Sequence, residues 1–162
     1  MTELCWLRRD KNGRFRIGTR ISSLAGSKDI SLRLRDKCRE VAARLNEELN
    51  ELVTVAVFTE GERRVITKIE ANHLVQVNES TSSSPTLMFH TATGLLLLSQ
   101  LDESVLTVFA ERHHLESRLE KNRRELEQIR RNGYSKLILG QKDSIAMAVG
   151  IYDKSGKMVA AI

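Results

Sequence analysis

The chain has 162 residues and a mass of 18.4 kDa, and is 41% hydrophobic and 29% charged, which is enough apolar material for one domain with a core and excludes compositional disorder. Its longest apolar runs, Ile145 to Val149 and Met158 to Ile162, fall far short of the roughly 20 residues that span a bilayer, and the opening residues lack the pattern of a signal peptide. Cys5 and Cys38 are too few for a disulfide framework and suit a reducing cytoplasm, and the single proline, Pro85, leaves no scope for proline-rich linkers.

The net charge of +5 is unevenly placed. Residues 1–20 hold Arg8, Arg9, Lys11, Arg14, Arg16 and Arg20 against Glu3 and Asp10, while the rest of the chain is nearly balanced. Such a segment is either a solvated basic tail or a contact for phosphates. Within it, Asn12-Gly13 predicts a hairpin turn, because both residues tolerate positive φ, and Arg14-Phe15-Arg16-Ile17 alternates like a short strand. Ile21 to Ser27 is ambiguous and reads as a short helix ended at Gly26. From Asp29, a candidate cap, to Leu52 the spacing predicts a long helix. Ile30, Leu34, Cys38, Val41, Leu45, Leu49 and Leu52 recur every three or four residues as one apolar stripe. Cys38 lies on that stripe and reads as a small buried hydrophobe.

Strands come next. Val53 to Phe58 is β-branched and alternating, Glu60-Gly61-Glu62 turns, and Arg64 to Ile69 returns. His73 to Asn78 predicts a third strand. Glu79 to Pro85 is serine-rich, either a plain linker or a binding loop. Phe89 to Gln100 is a Leu-rich helix, and Asp102 is placed to cap another through Arg112. Glu116 to Asn132 predicts a charged helix that buries Leu119, Leu126 and Ile129 and ends at Gly133. Tyr134–Leu139, Ile145–Tyr152 and Lys157–Ile162 are strands, the last two joined by a turn at Asp153-Lys154-Ser155-Gly156. The order predicts an α+β domain, with a largely antiparallel sheet of about six strands and helices packed on it.

Catalysis finds no support. His113 and His114 are neighbours whose side chains diverge on a helix, His73 and His90 stand alone, and neither cysteine is near a histidine, so no metal site is predicted. Glycine-rich phosphate loops and nucleophile elbows are absent, and nothing near Ser82, Ser83 or Ser84 would activate a serine. One stretch suggests binding. His90-Thr91-Ala92-Thr93-Gly94 opens a helix, whose first N–H groups are unpaired and favour an anion. Small residues there either let a ligand approach the backbone or serve helix packing, with Thr91 as a plain cap.

Several stretches together resemble the effector-binding domain of the IclR family of bacterial transcriptional regulators, which has a GAF-like fold. Arg14-Phe15-Arg16-Ile17-Gly18 is similar to the family's tyrosine-arginine-leucine-glycine stretch. Thr91-Ala92-Thr93-Gly94 resembles its helix start. Leu126-Glu127-Gln128-Ile129-Arg130 with Gly133-Tyr134, and Asp153, Gly156 and Val159-Ala160-Ala161, resemble its later signatures. The resemblance covers roughly residues 14–162. Departures accompany it: Leu87-Met88-Phe89 stands where the family has proline-leucine-histidine, Leu95 where it has a lysine, Leu137-Ile138-Leu139 where it is acidic, and Gly150 where it has a proline.

The resemblance implies a division into residues 1–27, a remnant of a DNA-binding wing and linker, and residues 28–162, an effector-binding domain that lacks the family's closing strand and helix. It also implies a regulator rather than an enzyme, with no cofactor. The expected partners are a small-molecule effector (an organic acid or an aromatic metabolite), a second copy in a homodimer or tetramer, and DNA only through a helix-turn-helix domain outside these residues. Carried over residue by residue, Asn78 and Thr86 would face the pocket, Ala92 and Thr93 would offer backbone N–H groups, and Leu137 and Ala146 would come from the far strands. Since Leu137 stands where the family has an acid, an aromatic or more apolar effector, or none, is expected. The alternatives are an oligomerisation module whose pocket has decayed, or a GAF-like reductase of free methionine sulfoxide, which would need pocket cysteines.

Overall fold

A computed structural model describes residues 7–9, 15–17, 19–59, 61–72, 84–140 and 144–162, with backbone alone before residue 34. The chain forms two compact units, Met1–Glu40 and Val41–Ile162. In the first, strands β1 (Leu7–Arg9) and β2 (Phe15–Ile17) pair antiparallel, with Leu7 opposite Ile17 and Arg9 opposite Phe15. Asn12 and Gly13, where the turn was expected, lie outside the described residues.

Helix α1 runs unbroken over Thr19–Leu49, so the expected stop at Gly26 and restart at Asp29 do not occur. A glycine inside a helix costs only about 1 kcal/mol against alanine, and the helix formers on either side outweigh it. The stripe is also displaced. Cys38 and Ala42, four residues apart, are buried, whereas Val41 and Leu49 are 50% and 58% exposed. Burial pushes the Cys38 thiol above its ordinary pKa, as expected of a structural cysteine. Asn50 ends the helix at φ 52°, and its N–H donates to the Asn46 carbonyl at 2.7 Å. The Asn46 amide then donates to the Glu51 and Glu70 carbonyls at 2.7 and 3.1 Å, tying the end of α1 to the first hairpin of the sheet.

That sheet has five described strands in the order β4-β3-β7-β6-β5, every neighbouring pair antiparallel. The strands are β3 (Val53–Thr59), β4 (Glu62–Ile69), β5 (Tyr134–Leu139), β6 (Ser144–Tyr152) and β7 (Met158–Ala161). The expected third strand at His73–Asn78 lies outside the described residues. Between β3 and β4 the register shifts at Val55/Ala56, so Thr67 opposes Val55 while Val65 opposes Ala56 and Arg63 opposes Phe58. Alternation alone would put positions 63 and 67 on one face. The bulge separates them, and Arg63 joins the face that carries Ala56 and Phe58.

The core lies on that face. A 3₁₀ turn (Pro85–Phe89) leads into α2 (Ala92–Ser99), followed by α3 (Glu103–His113) and α4 (Glu116–Asn132). All eight residues of α2 are buried, between the sheet and α4, which suits a helix apolar on every side. Leu119, Leu126 and Ile129 of α4 are buried as their spacing predicts, and Gly133 terminates that helix at φ 77°. The opposite face of β5 and β6 is bare. Tyr134, Ile138, Ile145, Met147 and Val149 share it, with Ile138 70% and Met147 62% exposed.

Candidate functional site at the start of α2

Thr91 caps α2. Its hydroxyl accepts from the Gly94 N–H at 3.1 Å and donates to the Leu87 carbonyl at 3.1 Å, which ties the helix start to the 3₁₀ turn. Gly94 serves this packing. A Cβ there would meet the Met88 carbonyl oxygen and stand 2.6 Å from both Met88 Cα and Thr91 Oγ1. Of the two readings of the small residues, packing is therefore the one that accounts for Gly94.

Ala92 and Thr93 form the first turn, and both are buried. Their N–H groups precede the point at which intrahelical bonding begins. Ser135 of β5, itself fully buried, donates from its hydroxyl to the Ala92 carbonyl at 2.6 Å. Leu137 stands two residues along β5 on the same face, directly opposite Ala146 of β6, and both pack half-buried against the core cluster. Thr86 lies half-buried on the 3₁₀ turn. Asn78 lies outside the described residues. Ala92, Thr93, Leu137 and Ala146 are thus carried by elements that touch one another, α2 against β5 and β6.

Two neighbours of the helix start were not anticipated. One is Ser135. The other is Arg63 of β4, wholly buried, whose Nε donates to Thr93 Oγ1 at 2.8 Å. The signal was present in the pair Arg63-Arg64, because adjacent residues of a strand point to opposite faces and one of the two had to face inward. At the rim, the Arg118 guanidinium meets His90 Nε2. The far end of α2 is held by Arg130, whose Nε and Nη2 donate to the Ser99 and Leu101 carbonyls, each at 2.5 Å. A separate groove of about 690 Å³ lies along Val41, Arg44, Leu45, Glu47 and Glu48 of α1 and includes none of the expected site residues. Among the described residues, no three His, Cys, Asp or Glu side chains are grouped to hold a metal ion, and no helix is long and apolar enough to cross a membrane.

Residues 30–162 match the family described as bacterial transcriptional regulator IclR, C-terminal. No curated protein matches the chain. Among solved structures, an IclR homolog from Microbacterium hydrocarbonoxydans complexed with 4-hydroxybenzoate is 21% identical, with 99% of this chain and 69% of that one covered and a TM-score of 0.67. The IclR of Thermotoga maritima is also 21% identical, covering 99% of this chain and 68% of its own, with a TM-score of 0.62. The inducer-binding domain of PobR from Acinetobacter, a double mutant in complex with 3-hydroxybenzoic acid, is 20% identical over 76% of each chain, with a TM-score of 0.56. This chain spans 66% of the length of a regulator from Rhodococcus sp. RHA1 that it resembles at 19% identity and a TM-score of 0.66. At such identities the likeness is one of fold. The family match carries the assignment: the chain belongs to the IclR family of bacterial transcriptional regulators, which are not enzymes, and corresponds to their C-terminal domain.

Proposed function

We propose that this domain senses a small molecule, an organic acid or an aromatic metabolite, at the start of α2. Binding there would shift the geometry of a homodimer or tetramer and so alter the DNA affinity of a helix-turn-helix domain. The observation that carries this reading is the buried first turn of α2, where the Ala92 carbonyl meets Ser135 and Thr93 meets Arg63, beside the paired Leu137 and Ala146 of β5 and β6. The benzoates held by two structures of similar fold are compatible with it. Thr86 and Asn78 complete the proposed lining from the 3₁₀ turn and the segment before it. Residues 1–27 serve as wing and linker to the DNA reader, and the regulator works in the cytoplasm.

A thermal-shift screen of organic acids, aromatic metabolites and neutral analogues tests the reading, since a ligand that binds only the folded state raises Tm. Ala92→Trp should fill the space before the helix and weaken any hit at least tenfold while the variant stays folded. Full affinity in a folded Ala92→Trp protein places the ligand elsewhere. If nothing in the screen raises Tm, the domain is an oligomerisation module, and light scattering should still find a dimer or tetramer.

A further inference from the structure

The face of the sheet turned away from α2 is covered over one half only. Val55 neighbours Ala56 on β3 and so points to this face, where it is wholly buried, as is Ala42 of α1, and neither belongs to the cluster under α2. From Val41 onward α1 therefore lies over β3. Its rotation about its own axis is fixed by Asn46, whose amide donates to the Glu70 carbonyl just past the end of β4. Successive helix residues are about 100° apart, which sets Val41 and Glu48 well round from Asn46, facing away from β4 and toward β7 and β6. The groove along this side of α1 is thus a wall, and the exposed apolar side chains of β5 and β6 are the floor beside it. Since a helix is about 10 Å thick, the face is a step, raised along α1 and recessed over β5 and β6.

A step of this form fits a second copy of itself. A two-fold axis lying in the interface sets the raised half of each copy over the recessed half of the other. The charges follow the same symmetry. Lys136 is exposed in the floor opposite Met147, while the raised half exposes Glu47 and Glu48 against Arg44, so the rotation carries the acids of each copy to the lysine of the other. The floor residues and Val41 leave on the order of 600 Å² of apolar surface open. Two copies together would remove about 1,200 Å² from water, the low end for a stable interface. We propose that this stepped face is where two copies of the chain join, with α1 of each seated over β5 and β6 of the other. This rests on the homo-oligomeric part of the reading above and supplies the surface through which it forms.

Sedimentation velocity over about 1–200 μM, a range in which an interface of this size should come apart on dilution, reads the association, and an apolar dye reads the open face. Wild type should pass from monomer to dimer across the range, with dye bound per chain falling at least twofold as the dimer forms. Lys136→Glu, and separately Glu47→Lys with Glu48→Lys, should each weaken the dimer at least tenfold. All three positions are exposed, so both variants should stay folded by circular dichroism. An equimolar mixture of the two variants should form dimers again, since both contacts between the copies then join opposite charges. A mixture that associates no better than its parts overturns the proposal. So does a wild-type dimer that both variants leave intact, and the homo-oligomer then stands on another surface. Wild type that is monomeric throughout, with dye bound at every concentration, removes this interface and the homo-oligomer alike and leaves the face to another part of the regulator or to a different protein. Effector sensing is judged apart from all of these, by the thermal-shift screen.

Discussion

Gly94 sits where two effects of opposite sign compete. Replacing a helical glycine by alanine ordinarily gains about 1 kcal/mol through propensity. Here the new Cβ would press on the backbone of Met88, 2.6 Å from its Cα, and neither the 3₁₀ turn nor the buried helix has a flexible end to move aside. Overpacking against backbone costs roughly 1–3 kcal/mol or more, so Gly94→Ala should be destabilising by about 2 kcal/mol and lower Tm by roughly 5 °C, measured by calorimetric or circular-dichroism melting. A Tm that rises would show that the turn yields. At this scale the sequence is legible where a residue type has one use and opaque where it has two. Thr91 reads as a cap and is one. Gly94 reads equally as room for a ligand or as close packing, and only the position of Met88 decides. Arg63 is hidden further: the pair Arg63-Arg64 turns one arginine inward, but the bulge beside Ile66 determines which of the two faces the core.

Helix α2 is held at both ends by side chains, its own cap Thr91 and the distant Ser135 at its start and Arg130 at its finish. Arg130 satisfies two carbonyls from a planar fork, one on the last residue of the helix and one just past it, and its positive charge complements the negative end of the helix. Arg130→Ala should therefore destabilise the domain by about 1–2 kcal/mol. Lysine, a point donor without the fork, should recover less than half of that, and chemical denaturation of the three proteins measures both. Equal stability of alanine and wild type would make the clamp a surface decoration. Elements with strong periodicity and clear ends were legible: α4 begins and ends at the expected residues, and β5 has the expected bounds. The ends of α1 were not, since Gly26 and Asp29 are signals that a long run of helix formers overrides. Nor was its buried side, because the stripe of larger residues was read in place of Ala42.

The two faces of the sheet are unlike. One is sealed by α2 and carries the candidate site, while on the other the outer surface of β5 and β6 leaves Tyr134, Ile138, Ile145, Met147 and Val149 against solvent. Apolar surface of this kind, interrupted by Lys136 opposite Met147, is uncommon on a folded domain. The folded protein should accordingly enhance the fluorescence of an apolar dye such as anilinonaphthalene sulfonate. Joint Ile145→Lys and Met147→Glu substitution should remove most of the signal and shift stability by no more than about 0.5 kcal/mol, the usual range for surface changes; an unchanged signal would place the dye elsewhere. Fold class and family were legible at this scale from short stretches that keep their order along the chain. The candidate site was legible only in its helix start, because Ser135 and Arg63 reach it from strands distant in sequence. Distance along the chain has a further consequence. The hairpins β3–β4 and β5–β6 both precede β7, the first by a long stretch of chain, yet β7 is the strand that joins them, with Ala161 paired to both Ala56 and Gly150. A hairpin alone is marginal in water. Until β7 is made, the nascent chain therefore holds two unjoined half-sheets with exposed edges, and the cooperative stability of this sheet waits on Met158–Ala161. Chaperone demand and aggregation risk should be concentrated in that interval.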